Sequence, residues 1–134
     1  MTKEIIIDAE DGILGRIASF AAKQALQGKT VKVVNCEKVL LTGNRKMILE
    51  QYQKAKARGG SAMRGPNFPS SSERIMKRAI RGMLKYKRGR GEDAFDKVRC
   101  YNNVPKEFEK AEKIPVQNCN KRKHSRTEMK QRPL

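Results

Sequence analysis

Tryptophan is absent from this chain, histidine occurs once and cysteine three times, and no apolar run approaches the length of a membrane span. Each shortage removes a class of function. A bilayer helix needs roughly 20 consecutive apolar residues, so no membrane partner is expected. Lys3 and Glu4 precede a short Ile5-Ile6-Ile7 run that lacks the pattern of a signal peptide, and cytoplasmic residence is the expectation. Cys36, Cys100 and Cys119 are widely spaced without a Cys-x-x-Cys, and His124 cannot complete a zinc-finger pattern. Reduced thiols are expected, with no metal. Aromatic residues are only 5% of the chain, which disfavours a single-strand binder built on stacking platforms.

The scarcest commodity is negative charge. Only 14 Asp and Glu stand against 31 Lys and Arg, a net charge of +17 over 134 residues. Such an imbalance repels itself in a compact state and makes sense beside a polyanion. The acids that do cluster near a strand end, Asp8, Glu10 and Asp11, have no base partner, since the lone histidine lies in a basic tail. No active site emerges, so no enzymatic activity, no cofactor and no small-molecule substrate are expected.

The length fits one α/β domain. Glu4 to Asp8 reads as a buried strand, and Leu14 to Leu26 follows as a helix with Leu14, Ile17, Ala18, Ala21, Ala22 and Ala25 on one side. Gly28 is placed to close it. Val31 to Val34 is a second strand, completing a βαβ unit with parallel pairing. Val39 to Thr42 reads as a third strand, and Asn44 caps a helix turning Met47, Ile48, Tyr52 and Ala55 to the core. Arg58 to Pro69 has the glycine and proline density of an irregular loop, with Arg58 and Arg64 available to an anion. A short helix near Glu92 to Asp96 and a last strand over Lys97 to Tyr101 follow. The organisation expected is an α/β domain over residues 1–104 and a polar, basic extension over 105–134, in which Phe108, Ile114 and Val116 are isolated apolar residues.

The stretch from Ser70 to Gly91 carries the functional signal. As a helix it sets Arg74, Lys77, Arg78, Arg81 and Lys85 on one side, opposite Ile75, Met76, Ala79, Ile80, Met83, Leu84 and Tyr86. Ser70 and Glu73 have capping-box spacing, and Lys87-Arg88-Gly89-Arg90-Gly91 reads as a flexible basic loop. Ordinary solvated faces mix charge signs to gain i,i+4 pairs; this one does not. Phosphate is the anion it suits. Gly28-Lys29-Thr30 copies the end of a phosphate-binding loop but closes a helix instead of opening one. Gly12 and Gly15 form only part of a dinucleotide fingerprint, and packing of the first helix on the sheet accounts for Gly15.

Ile7-Asp8-Ala9, Leu14-Gly15-Arg16-Ile17-Ala18-Ser19, Val34-Asn35-Cys36-Glu37, Leu41-Thr42-Gly43, Arg81-Gly82-Met83-Leu84 and Val98-Arg99-Cys100-Tyr101 follow in that order. Together, over residues 4–109, they resemble ribosomal protein thirteen of the large subunit in its archaeal and eukaryotic form. The resemblance implies a three-layer α/β/α fold on a mainly parallel four-stranded sheet, and a structural protein bound to large-subunit rRNA beside neighbouring ribosomal proteins. No homo-oligomer is expected. Lys85 stands where the family usually has proline, so the basic helix is expected to run about a turn further. Ser70-Ser71-Ser72 replaces a Pro- and Arg-rich approach, and no arginine contact carries over there. The expected RNA contacts are Arg58, Arg64, Arg74, Lys77, Arg78, Arg81, Lys85, Lys87, Arg88, Arg90, Lys121, Arg122 and Lys123. Two alternatives from the residues are a small nucleotide-binding α/β enzyme around Gly12 and Gly15, and a DNA-binding module.

Overall fold

The computed structural model describes residues 3–58 and 66–116, together with the backbone of 126–128. Three successive isoleucines start it. In β1 (Glu4–Asp8), side chains alternate across the sheet, so Ile7 enters the larger core while Ile6 enters a smaller one on the opposite face. α1 (Leu14–Leu26) follows and buries Ile17, Ala18, Ala21, Ala22 and Ala25. Its alanine-rich face lets the helix lie close on the strands. Gly28, at φ +88, ends it in the left-handed conformation.

β2 (Thr30–Val34) pairs in parallel with β1, Ile5 opposite Val31 and Ile7 opposite Val33. The βαβ unit therefore forms as its sequence predicts. β3 (Leu40–Thr42) does not join this sheet. It pairs antiparallel with β6 (Arg126–Glu128), forming a separate two-stranded sheet. β4 (Val98–Cys100) pairs with β2, and β5 (Lys113–Pro115) pairs with the other side of β1. The order β4-β2-β1-β5 is a four-stranded, all-parallel sheet. Its fourth strand thus comes from the polar stretch after residue 104. β5 has one apolar strand residue, Ile114, and a proline that only an edge strand tolerates.

α3 (Ser72–Gly82) and α4 (Gly89–Asp96) pack with α1 over the main core, where Ile75, Met76, Ile80, Leu84, Ala94 and Val98 are buried. The other sheet face is covered by a 3-10 turn at Lys106–Phe108, whose Phe108 packs on Ile6 and Val34. Phe108 is therefore a core residue and not an isolated anchor. α2 (Arg45–Ala57) has its expected cap, the Asn44 side chain accepting from Lys46 N–H at 3.0 Å. It buries no residue, and Met47, expected to face inward, is 60% exposed. Met47, Ile48 and Leu49 are consecutive and fan across more than half the helix, so they cannot all reach one core.

The acids near the end of β1 serve the fold. Asp8 Oδ1 accepts from Glu10 N–H and from the Asn35 amide, both at 3.0 Å, and Glu10 pairs with Lys38 at 2.9 Å. Asn35 needs that support, since it sits at φ +58. Gly12 is the close-packed glycine: a Cβ there would lie 2.4 Å from Ile17 Cδ1. Gly15, by contrast, has open space around its Cα, so packing does not explain it. Cys36 and Cys100 are free thiols. A hydrogen bond that the Cys36 S–H donates to Cys100, with burial second, holds the Cys36 thiol far above its usual range, in its neutral form.

Candidate nucleic-acid interface

α3 is built to hold two chemistries apart. Ile75, Met76 and Ile80 are sealed against α1 and the sheet, while Arg74 is exposed and Lys77, Arg78 and Arg81 are partly exposed on the other side. These four sit at i, i+3, i+4 and i+7, so they form one stripe. None of them makes an ion pair with a carboxylate among the described residues. Glu73 occupies the first turn, where a negative charge suits the helix dipole.

The helix differs from its expected form at both ends. Ser70 makes no capping box: α3 starts at Ser72, and the first-turn N–H of Glu73 is satisfied by Asn102 Oδ1 at 3.2 Å, from the loop after β4. At the other end the helix stops at Gly82, without the extra turn expected from Lys85 in place of proline. Residues 83–88 form turns that lead into α4. Glycine is required where α4 returns on this turn, because the Gly91 α-carbon packs against the Lys85 carbonyl: a Cβ would lie 2.3 Å from that oxygen. Met83 is left 45% exposed instead of facing inward. Lys85, Lys87 and Arg88 are exposed around a hollow with Leu84 and Tyr86, beside the α3 stripe and not along it.

Aromatic rings organise the cations. Arg78 lies over Phe68, 4.7 Å from the ring centroid, and Lys77 over Phe95 at the same distance. Arg81 lies over Tyr86 at 4.9 Å, and Lys87 approaches that ring at 5.9 Å. Each such contact steadies a charge by roughly 0.5–1 kcal/mol at an exposed site, without neutralising it. Tyr52 of α2 meets Phe68 edge-on at 5.5 Å, so one ring links the two helices. Asn67, Pro69, Arg74, Lys77, Arg78, Arg81 and Phe95 line a cavity of about 260 Å³. These rings were not visible as site residues in the sequence. Tyr86 fits the apolar face by periodicity, and Phe68 and Phe95 reach α3 from a preceding loop and a following helix. The low aromatic content concealed their concentration at one surface.

Among the remaining candidates, Arg58 is exposed at the end of α2. Arg90 is engaged within the fold, where its Nε and Nη2 donate to Leu26 O at 3.2 and 2.7 Å and satisfy a carbonyl at the end of α1. Arg64, Lys121, Arg122 and Lys123 lie outside the described residues, as do Cys119 and His124. At the other candidate site, Gly12 packs against the Ile17 side chain, which accounts for a glycine there without a ligand.

Residues 2–107 match the family described as Ribosomal protein L13. The chain belongs to that family. Among its relatives, large ribosomal subunit protein uL13 of Methanosarcina barkeri is 43% identical over 118 residues, 87% of this chain and 84% of the relative. The uL13 proteins of Archaeoglobus fulgidus and Natronomonas pharaonis are 42% and 46% identical, over 92% and 81% of this chain and 78% and 73% of their own lengths. The L13 family is structural and non-enzymatic, and its members are cytoplasmic proteins of the large ribosomal subunit. The enzyme alternative falls with that membership, and the resemblance carried by the six sequence motifs is confirmed.

Proposed function

We propose that this chain is a structural component of the large ribosomal subunit that binds rRNA with the α3 stripe, assisted by the basic turn after it. One observation carries the reading: four cations converge on one surface, three of them steadied by rings, and all are left without carboxylate partners among the described residues. Arg74, Lys77, Arg78 and Arg81 contact phosphates, with Lys85, Lys87 and Arg88 beside them. Arg58 and Arg64 extend the surface from the loop, and Lys121, Arg122 and Lys123 from the tail. Neighbouring ribosomal proteins are the other partners, the protein enters the particle as one copy, and 105–134 is its basic extension, tied to the domain through Phe108 and β5. Arginine adds a two-pronged grip on phosphate that lysine lacks. Double-helical RNA hides its base edges in a deep, narrow groove, so shape and phosphate contacts dominate on paired segments.

Filter binding to large-subunit rRNA fragments across a salt series tests this. Affinity falls steeply with salt, by a slope of roughly 0.7–0.9 per phosphate contact. Arg78→Glu with Arg81→Glu weakens binding by about a hundredfold or more and flattens the slope by about two contacts, with the thermal melt retained. Arg90→Met, which removes a cation already engaged with Leu26, leaves affinity unchanged. Unaltered affinity in the double variant overturns the proposal. Preference for duplex DNA over rRNA in competition would favour a DNA-binding module instead.

A further inference from the structure

The cavity on α3 has walls that a phosphate backbone alone does not match. It is a shallow, open hollow of about 260 Å³, below the roughly 300–1,000 Å³ of pockets that enclose whole small molecules. Its walls are of three kinds: the cations of α3, the apolar surfaces of Pro69 and Phe95, and the amide of Asn67. A phosphate alone would satisfy the first and leave the other two uncovered. Resting on the rRNA-binding reading above, we infer that this cavity receives a single nucleotide extruded from an RNA strand. Its phosphate meets Arg74, Arg78 and Arg81, and its base and ribose lie against Phe95 and Pro69.

The chemistry of each wall matches one part of a nucleotide. Unpaired bases are recognised by stacking on aromatic rings or guanidinium planes, with hydrogen bonds to their edges. Phe95 supplies the ring, Arg78 a guanidinium already held over Phe68, and Asn67 a donor and an acceptor on one short side chain. Lys77 covers Phe95 in the free protein through a single ring contact. Its ammonium can pass to the incoming phosphate while the base takes its place on the ring. An extruded base that is already unpaired costs least to bind, so a bulge is the natural occupant. The RNA class deepens from paired backbone to a bulged strand flanked by paired segments.

Three probes test this: an RNA duplex carrying one bulged adenosine, the same duplex fully paired, and the bulge made abasic. The bulged duplex should bind about tenfold tighter than either of the others, the stacking of one base being the difference. In Phe95→Leu the preference for the bulge should vanish while the salt slope stays, because the phosphate contacts remain. A merely structural role for Phe95 would instead weaken all three equally. Should Phe95→Leu not fold, the abasic comparison on the unaltered protein decides alone. A fluorescent purine analogue at the bulge should change emission on binding. Equal affinity for the three probes overturns the inference and leaves rRNA binding standing, whereas failure to bind any of them overturns both. Adenosine monophosphate that binds as tightly as the bulged RNA would assign the cavity to free nucleotides and overturn the RNA source.

Discussion

α2 and α3 carry the same charge inventory, four cations and one acid each, and the fold uses them differently. In α3 the apolar residues fall at helical spacing, so Ile75, Met76 and Ile80 are buried and the cations are left in one stripe. In α2 the apolar residues come in a consecutive run, no residue is buried, and Arg45, Lys46, Lys54 and Lys56 lie at its two ends. α3 is thus held in one orientation by its core face. α2 is held by its cap and by the Tyr52–Phe68 ring contact. Cation number does not fix where the charges point; an apolar seal behind the cations does.

The sharpest way to break this comparison is to place a carboxylate on each helix in turn. Met76→Asp puts an unpaired charge into the sealed face of α3 and should cost several kcal/mol, abolishing the cooperative melt. Met47→Asp on α2 and Met83→Asp beyond α3, both at exposed side chains, should each stay within about 0.5 kcal/mol. Equal losses at Met76 and Met47 would mean that α2 is as firmly seated as α3. Next in size is Gly91→Ala, which drives a methyl into the Lys85 carbonyl where α3 breaks. It should destabilise by about 1–3 kcal/mol in denaturant melts, and a neutral result would show that the turn can shift.

The caps give a smaller and more discriminating contrast. Asn102 caps α3 from a distant loop, whereas Asn44 caps α2 locally. Each change to alanine should cost about 1 kcal/mol. Hydrogen exchange should rise throughout the core in Asn102→Ala but only within α2 in Asn44→Ala. Smallest is a pH effect at the ring linking the helices. Burial raises the Tyr52 hydroxyl above its ordinary value of 10.0, so the folded state holds its proton longer than the unfolded chain. Its contribution is complete below about pH 10 and is lost as pH rises through the raised value. Alkaline melts of Tyr52→Phe should fall less steeply than those of the unaltered protein, and identical curves would remove Tyr52 from the account.

Much of the scaffold was legible. β1 and α1 begin and end where the residues predict, because isoleucine clustering and alanine spacing are local signals, and Asn44 caps α2 as its side chain dictates. The end of α3 was not. Met83, Leu84 and Tyr86 continue the helical period, yet the chain turns after Gly82 and α4 returns so closely that Gly91 lies against the Lys85 carbonyl, a contact the period does not show. β5 escaped because Lys113-Ile114-Pro115 has neither alternation nor a run of apolar residues, and only the open edge of β1 makes it a strand. Arg90 shows the same limit within the site. An arginine that holds a helix-end carbonyl reads like any exposed one in a sequence.

By itself the sequence determined the sign of the partner's charge, the helical stripe on α3 and membership of the L13 family, since composition, spacing and motif order need no knowledge of contacts. Only the tertiary structure decided that Phe68 lies under Arg78, that Asn67, Pro69 and Phe95 close on the stripe to make a cavity, that Asn102 starts α3 and that Arg90 is engaged elsewhere. The physical reason is range. A helix face follows from residues within two turns of one another, whereas a cavity wall or a borrowed cap joins side chains that meet only after the core has drawn distant segments together.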